Sequence, residues 1–467
     1  MKYEKLEALK KSELIEIIHQ LLERISELES KVNMTSTNSS KAPSSDVWKR
    51  PQMRSISGAN PGGQPGHKGN FIKIECEADE VREIRPDRCA KCGEDLGEMK
   101  GSLAESRNKI DIEIRRKIMR YEQMEVICPC CGNENLAEFP EDVNSHVSYG
   151  EGVQSIGVLL TNYANVSYGK TQKIMNDVLE VPISVGTLVN HVKEFASKCE
   201  RVTAEIAETV KASEVTHFDE TSTRVNGANH WLHTASTREA TYNTVHSKRG
   251  VEGCDDNGVL KGFGGVAVHD CLQMYFTYEN CDHALCNAHL LRELQGVVEN
   301  TGQSWASQMQ QLLREMKLIV DDFKRAGKAS LPAEYIRIFA DEYKRITKIG
   351  ETENPLTEEQ QQNAKKKRSK PRNLLDRFIQ YRTEVCRFAD NFAVPFDNNQ
   401  AERDIRNTKV KQKVSGCFRS DDGAKNFAKI SSVIGTAIKQ GAGAFKTVSD
   451  IFAGSLNSIF RKTQLEQ

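Results

Sequence analysis

The apolar positions of this 467-residue chain change period several times. Over residues 6–32, Leu14, Leu21 and Leu28 alternate with Ile18, Ile25 and Val32 at steps of four and three. That is a heptad with β-branched residues at a and leucines at d, which predicts a helix paired in parallel with a second copy. A lone helix packed on its own chain has the same period. Residues 34–70 lose all period and are rich in Ser, Asn, Pro and Gly, the composition of a linker. From Tyr149 to about Cys199 a helical period appears. Ile156, Leu159, Leu160 and Tyr163 share a face, Ser167 opens a second helix that Val181-Pro182 ends, and Ser184 caps a third through Thr187, Leu188, Asn190, His191 and Lys193. A helix-turn-helix and a packed helical bundle both fit that pattern.

Strand signals follow. Glu214-Val-Thr-His-Phe-Asp-Glu-Thr-Ser-Thr-Arg-Val225 reads as a strand ending in a carboxylate, with Asn226-Gly227 as a hairpin turn and a second strand around residues 231–237. Trp231 is expected in the core. A later apolar run, Gly264-Gly-Val-Ala-Val-His-Asp270, ends in another acid. Residues 290–384 are charged and helical, with 357–372 expected to be mobile. In Pro395-Phe-Asp-Asn-Asn-Gln-Ala-Glu-Arg-Asp404, Asp397, Asn398 or Asn399 can cap a helix carrying Glu402. A last helix turns Ile430, Val433, Ile434, Ala437 and Ile438 to one side. Asp219, Asp270 and Glu402 are thus two strand-end acids and one helical acid, a set able to hold two divalent ions around a phosphodiester. Any one of them, taken alone, is more commonly a solvated surface group. Glu220 ranks behind Asp219, because adjacent strand residues face opposite ways.

Cysteine spacing adds a metal centre. Cys89-Ala-Lys-Cys92-Gly93 and Cys128-Pro-Cys-Cys131-Gly132 are two C-x2-C knuckles, each followed by glycine and separated by a strand-like stretch. Such knuckles suit one tetrahedral zinc ion, with Cys131 preferred to Cys130 for its match to the first knuckle. The N-terminus carries charged residues without a signal-peptide core, and no stretch reaches the roughly 20 apolar residues of a membrane span. Both features predict an intracellular protein whose 13 cysteines are thiols or ligands. The 65 basic and 65 acidic residues cancel, which excludes a uniformly basic nucleic-acid binder and leaves local patches. Lys41, Lys49, Arg50, Arg54 and Lys68 form one; residues 365–372 form another; Arg403, Arg406, Lys409, Lys411, Lys413 and Arg419 follow Glu402.

His217-Phe-Asp-Glu-Thr221, His269-Asp270, Asn398-Asn-Gln-Ala-Glu-Arg403 and Lys409-Val-Lys-Gln-Lys-Val-Ser-Gly-Cys-Phe-Arg419 together resemble the DDE transposases of the insertion-sequence-66 family. The resemblance covers nearly the whole chain and implies a multidomain α/β protein with an RNase H-like core. The expected order is a coiled-coil helix (1–34), a basic linker (35–75), a zinc ribbon (76–145) and a helical, DNA-binding segment (146–200). The first part of the core (201–289), a helical insertion (290–384) and the end of the core with the third acid (385–467) follow. It implies Asp219, Asp270 and Glu402 as catalytic ligands of two magnesium or manganese ions, and one structural zinc on Cys89, Cys92, Cys128 and Cys131. Partners would be DNA at the element's ends and at the target, a second copy of the chain, and accessory proteins of the same element, in the bacterial cytoplasm. Cys286-Asn-Ala-His289 resembles a signature that many DDE transposases carry, and a role packing the insertion onto the core is expected of it. Arg403, Arg406, Lys409, Lys411, Lys413 and Lys68 are candidate DNA contacts. A DNA-binding regulator with an inert site and an RNase H-fold nuclease or resolvase are the competing readings.

Overall fold

The computed structural model describes residues 10–35, 38–39, 77–363 and 366–460. Most of the linker, Lys68 and the first basic patch lie outside them. The chain divides into two compact units, residues 48–118 and the remainder.

In the smaller unit the described chain is largely irregular. Its one turn of note is the first cysteine knuckle, flanked by an Arg88–Asp95 bridge. The alternating stretch Ile110-Asp-Ile-Glu-Ile114 forms no strand, and its isoleucines are exposed. An alternating pattern becomes a strand only with a partner ladder and a surface to bury against, and among the described residues it has neither.

The larger unit opens with helix α1 (Lys11–Val32). Ile18, Leu21, Ile25 and Leu28, the heptad positions, are each about half exposed. Just beyond it, Asn38 is buried and donates to Glu299. Strands β1 (Glu125–Ile127) and β2 (Glu134–Leu136) form an antiparallel hairpin around the second knuckle. Helices α2 (Glu151–Val158), α3 (Tyr168–Asp177) and α4 (Val185–Lys198) follow, the last capped by Ser184 as expected. A π-helical turn, Leu159–Tyr163, extends α2 and leaves Tyr163 exposed rather than on the shared face. The extra residue in a π turn rotates everything beyond it off a 3.6-residue stripe. His191 is buried against Tyr149, not displayed on α4.

Helix α5 (Glu200–Lys211) leads into a five-stranded sheet. Strands β3 (Val215–Val225), β4 (Ala228–Ser236) and β5 (Thr241–His246) form an antiparallel meander. Asn226 and Gly227 both have positive φ, the two-residue turn that the right-handed twist of a hairpin favours. After α6 (Val251–Asn257), β6 (Val266–His269) lies parallel to β3, and β7 (Asp282–Leu285) lies parallel to β6. The strand order is β5-β4-β3-β6-β7.

Both faces of the sheet are covered. On one side α4, α5, α14 (Asp421–Lys439) and α15 (Ala444–Phe452) share a core that includes Val158, Phe195, Phe218, Ala267, Ile430 and Val433, so the helices before the sheet are built into it. Ile438 is exposed, unlike the rest of its predicted face. On the other side Val266, Val268 and Leu285 meet the helices between β7 and residue 390. These are α7 (Asn287–Thr301), α8 (Ser304–Arg325), α9 (Ala333–Glu353), α11 (Lys370–Gln380) and α12 (Arg382–Asp390), packed around Trp305, Tyr343 and Phe378; the short α10 (Glu358–Gln362) between α9 and α11 buries none of its residues. Within the second basic run, Arg368 and Arg372 both pair with Asp376, so part of that charge is neutralised locally. Helix α13 (Asn399–Ser415) then crosses β3 and β4. No described helix is long and apolar enough to cross a membrane.

Candidate functional site

Asp219 lies within β3, not at its end, because the strand continues to Val225 as half of the hairpin. Its pairing with β6 stops at His217 opposite Val268, so Asp219 sits where β3 has a neighbour on one side only. Asp270 follows the last residue of β6, where the strand was expected to end. His269, fully buried and stacked on Tyr275, has Nδ1 against the Asp270 carbonyl and holds that exit. Burial drives the His269 imidazole down to about 3, so the ring is neutral.

Glu402 lies in the first turn of α13. Asn398 occupies the N-cap position, but its side chain does not cap. It joins His217 Nδ1 at 2.8 Å and donates to the Phe218 carbonyl at 2.8 Å, while Asp397 accepts from the Asn399 N–H. One turn on, Asp404 accepts from Lys439 at 2.6 Å and from Thr241 at 2.9 Å. These bonds fix the helix start over β3 and its next turn against β5 and α14.

Asp219 lies in the field of the other two acids. Burial raises the Asp219 carboxyl well above its usual range, and the charges of Glu220, Asp270 and Glu402 raise it further. Burial, then Glu220, pushes Asp270 to about 6. Oε1 of Glu402 is buried without a hydrogen bond, with His289 Nδ1 at 3.5 Å and Arg292 at 4.0 Å. Asp219 accepts the Glu220 N–H at 2.9 Å and Asp270 the Leu272 N–H at 3.2 Å.

Glu220 has partners of its own: Arg249 at 2.6 Å and the Tyr275 hydroxyl at 2.6 Å. Arg249 also lies over the Trp231 ring at 4.8 Å, and Trp231 is half-buried rather than in the core. Of the basic residues after Glu402, Arg403, Arg406 and Lys413 are exposed. Lys409 is half-buried, donates to the Ser222 carbonyl at 2.9 Å and lies in the field of Asp219. Lys411 corrects the expectation of a DNA contact: it is buried, donates to the Thr161 carbonyl at 2.7 Å, and burial lowers its amine to about 8.

Cys286 precedes α7, and its Sγ accepts the Asn398 N–H at 3.2 Å. Asn287 donates its N–H to the Phe396 carbonyl and its side-chain amide to the Val385 carbonyl, tying the start of α7 to α12 and to the approach of α13. Residue-by-residue reading missed Asn398 as a hub and Arg292 as a neighbour of Glu402. The only signal for Arg292 was its place one helical turn beyond His289.

The two knuckles are built alike. In each, the glycine N–H donates to the first cysteine's carbonyl at 2.9 Å, and the glycine has positive φ. Backbone N–H groups of the next residues point at the sulfur of Cys89 and of Cys128, lowering both thiols. The thiol that shares a hydrogen bond with Cys128 is that of Cys131.

Asp219 on β3, Asp270 just beyond β6 and Glu402 in the first turn of α13, which crosses β3 and β4, thus come from three elements of one mixed α/β fold. Residues 146–426, more than half the chain, match the family model described as Transposase IS66 family, and the chain belongs to that family. Residues 3–72 match a family of unknown function. No curated protein matches the chain.

Proposed function

We propose that the protein is a DDE-type transposase that cuts DNA at the ends of its element and joins them to target DNA, with Asp219, Asp270 and Glu402 as its metal ligands. The observation that carries this is the buried Asp219 on β3, whose carboxyl lies in the field of Asp270 at the end of β6 and of Glu402 on α13. The strand order β5-β4-β3-β6-β7, with a meander followed by two parallel strands, supports an RNase H-like core.

Two magnesium or manganese ions, when bound, would activate a water or a 3′-hydroxyl and neutralise charge on the leaving oxygen. The chain's own residues hold the acids in place. His269 fixes the Asp270 backbone, Asn398 fixes the start of α13, and Asp404 with Lys439 fixes its next turn. Arg292, Arg403 and Arg406 supply positive charge for DNA phosphates near Glu402. The equivalent knuckles at Cys89–Cys92 and Cys128–Cys131 support a structural zinc. The exposed heptad face of α1 supports a parallel dimer. Such a protein would act on DNA in the bacterial cytoplasm, with accessory proteins of the same element.

The test is cleavage and joining of a duplex carrying the element's terminal sequence, with magnesium or manganese. Asp219→Asn, Asp270→Asn and Glu402→Gln should each bind that duplex yet lose roughly 100-fold or more in rate. Glu220→Gln loses the Arg249 ion pair but not a metal ligand, so its effect on the chemical step should be much smaller. Full activity in Glu402→Gln would refute the third assignment.

A further inference from the structure

The spacing of Cys286 and His289 offers two potential metal ligands, and two do not make a site. The fold adds a third. The ligand atoms of Cys286, His289 and Glu402 lie within 4.8 Å of one another, the only such group of three or more among the described residues. His289 Nδ1 is 3.3 Å from Cys286 Sγ and 3.5 Å from Glu402 Oε1. A tetrahedral ion with bonds of about 2.0–2.3 Å sets neighbouring ligand atoms about 3.3–3.6 Å apart. Both separations match that edge.

Two further features point inward. Cys286 is 1% exposed; burial pushes its thiol up to about 12, while the N–H groups of Asn398 and His289, directed at the sulfur, offset part of that rise. Oε1 of Glu402 is buried and makes no hydrogen bond. A thiol–imidazole–carboxylate chain serving only to pin α7 to α13 would satisfy that oxygen. Beside the cluster is a cavity of about 160 Å³, bordered by Asp270, Cys286, His289 and Glu293, with room for a water as a fourth ligand.

We propose that Cys286 Sγ, His289 Nδ1 and Glu402 Oε1 bind one transition-metal ion of the zinc class. The sulfur, nitrogen and oxygen donors select such an ion over magnesium. Binding releases the thiol proton to solvent and puts the ion in its place. The ion fixes the Glu402 carboxylate and clasps the first turn of α13 to the start of the helical insertion. This site is distinct from the cysteine knuckles, and its occupancy does not depend on Glu402 acting on DNA.

The experiment is cobalt(II) and zinc loading of the full-length protein, wild type and Cys89→Ser/Cys92→Ser. Metal is read by elemental analysis, and cobalt by its thiolate charge-transfer absorption. The knuckle variant should retain one equivalent with a single-thiolate spectrum. Within that background His289→Ala and Glu402→Gln should each weaken loading roughly tenfold or more, and Cys286→Ala should remove the charge-transfer band. Circular dichroism establishes folding. Should Cys286→Ala fail to fold, the two other variants carry the readout. Loading unchanged in folded His289→Ala, or no metal left in a folded knuckle variant, overturns the site. Magnesium-dependent DNA cleavage is a separate measurement, so failure here leaves the Asp219–Asp270–Glu402 reading standing.

Discussion

Removing the charge of Asp270 should stabilise the metal-free protein. The carboxyl rises from 3.8 to about 6, first through burial and then through Glu220. A group whose folded pKa is raised costs the fold nothing well below its unfolded value of 3.8, where it is protonated in both states. The cost grows as pH climbs from about 4 to 6 and stays constant above that. The rise corresponds to roughly 3 kcal/mol. Asp270→Asn keeps the oxygen that accepts the Leu272 N–H at 3.2 Å, so the turn after β6 retains its bond. In EDTA at pH 7.5 the variant should be more stable by roughly 3 kcal/mol, and at pH 4 the difference should shrink to about 0.5 kcal/mol. Magnesium should narrow the gap, since an ion at 100 times its Kd returns about 2.7 kcal/mol to the wild type. Urea unfolding followed by tryptophan fluorescence suits the measurement, because Trp231 and Trp305 lie in the same compact unit as Asp270. A variant no more stable than wild type at pH 7.5, or one whose gain persists in full at pH 4, would refute the account of the cluster as uncompensated charge.

Other expectations rest on separate contacts. Cys89→Ser should lower tightly bound zinc, read by elemental analysis, because three thiolates hold the ion more weakly than four; unchanged zinc in the Cys89/Cys92 double variant would exclude the ribbon. Leu21→Lys puts a charge in the heptad seam and should weaken self-association of an N-terminal fragment, unless sedimentation shows the wild-type fragment already monomeric. Lys439→Met leaves the half-buried Asp404 with its Ser236, Thr241 and Gln400 donors but no cation and should destabilise by about 1–3 kcal/mol in denaturant unfolding. It should also slow cleavage, because Asp404 anchors the helix that carries Glu402.

Local signals were legible where one element's own chemistry decides its shape. The Asn226-Gly227 turn, the Ser184 cap and the end of β6 at His269 follow from residue type and spacing. Asp219 was misplaced at a strand end because sequence shows where a strand's character fades, not where its partner leaves. β3 runs on to Val225 while its ladder to β6 stops at His217. Trp231 was assigned to the core on hydrophobicity alone, whereas Arg249 claims its ring. Ile110, Ile112 and Ile114 have the alternation of a strand and none of its pairing.

The least legible features are those in which one segment's backbone serves another segment's side chain. Thr161 lies in the π turn that breaks the helical stripe of α2, and its carbonyl receives Lys411 from α13. Asn407, also on α13, bonds to Asn165 and to the Asn162 carbonyl. A π turn shifts carbonyls out of the regular helical ladder, which is what an incoming lysine needs. Read separately, the two segments gave an imperfect amphipathic helix and a basic surface patch. Together they dock the helices before the sheet onto the helix bearing Glu402. A substitution that restored a regular helix at 159–163 would therefore disturb the position of an acid some 240 residues away, within the span of the 250-residue contact that ties the two segments together.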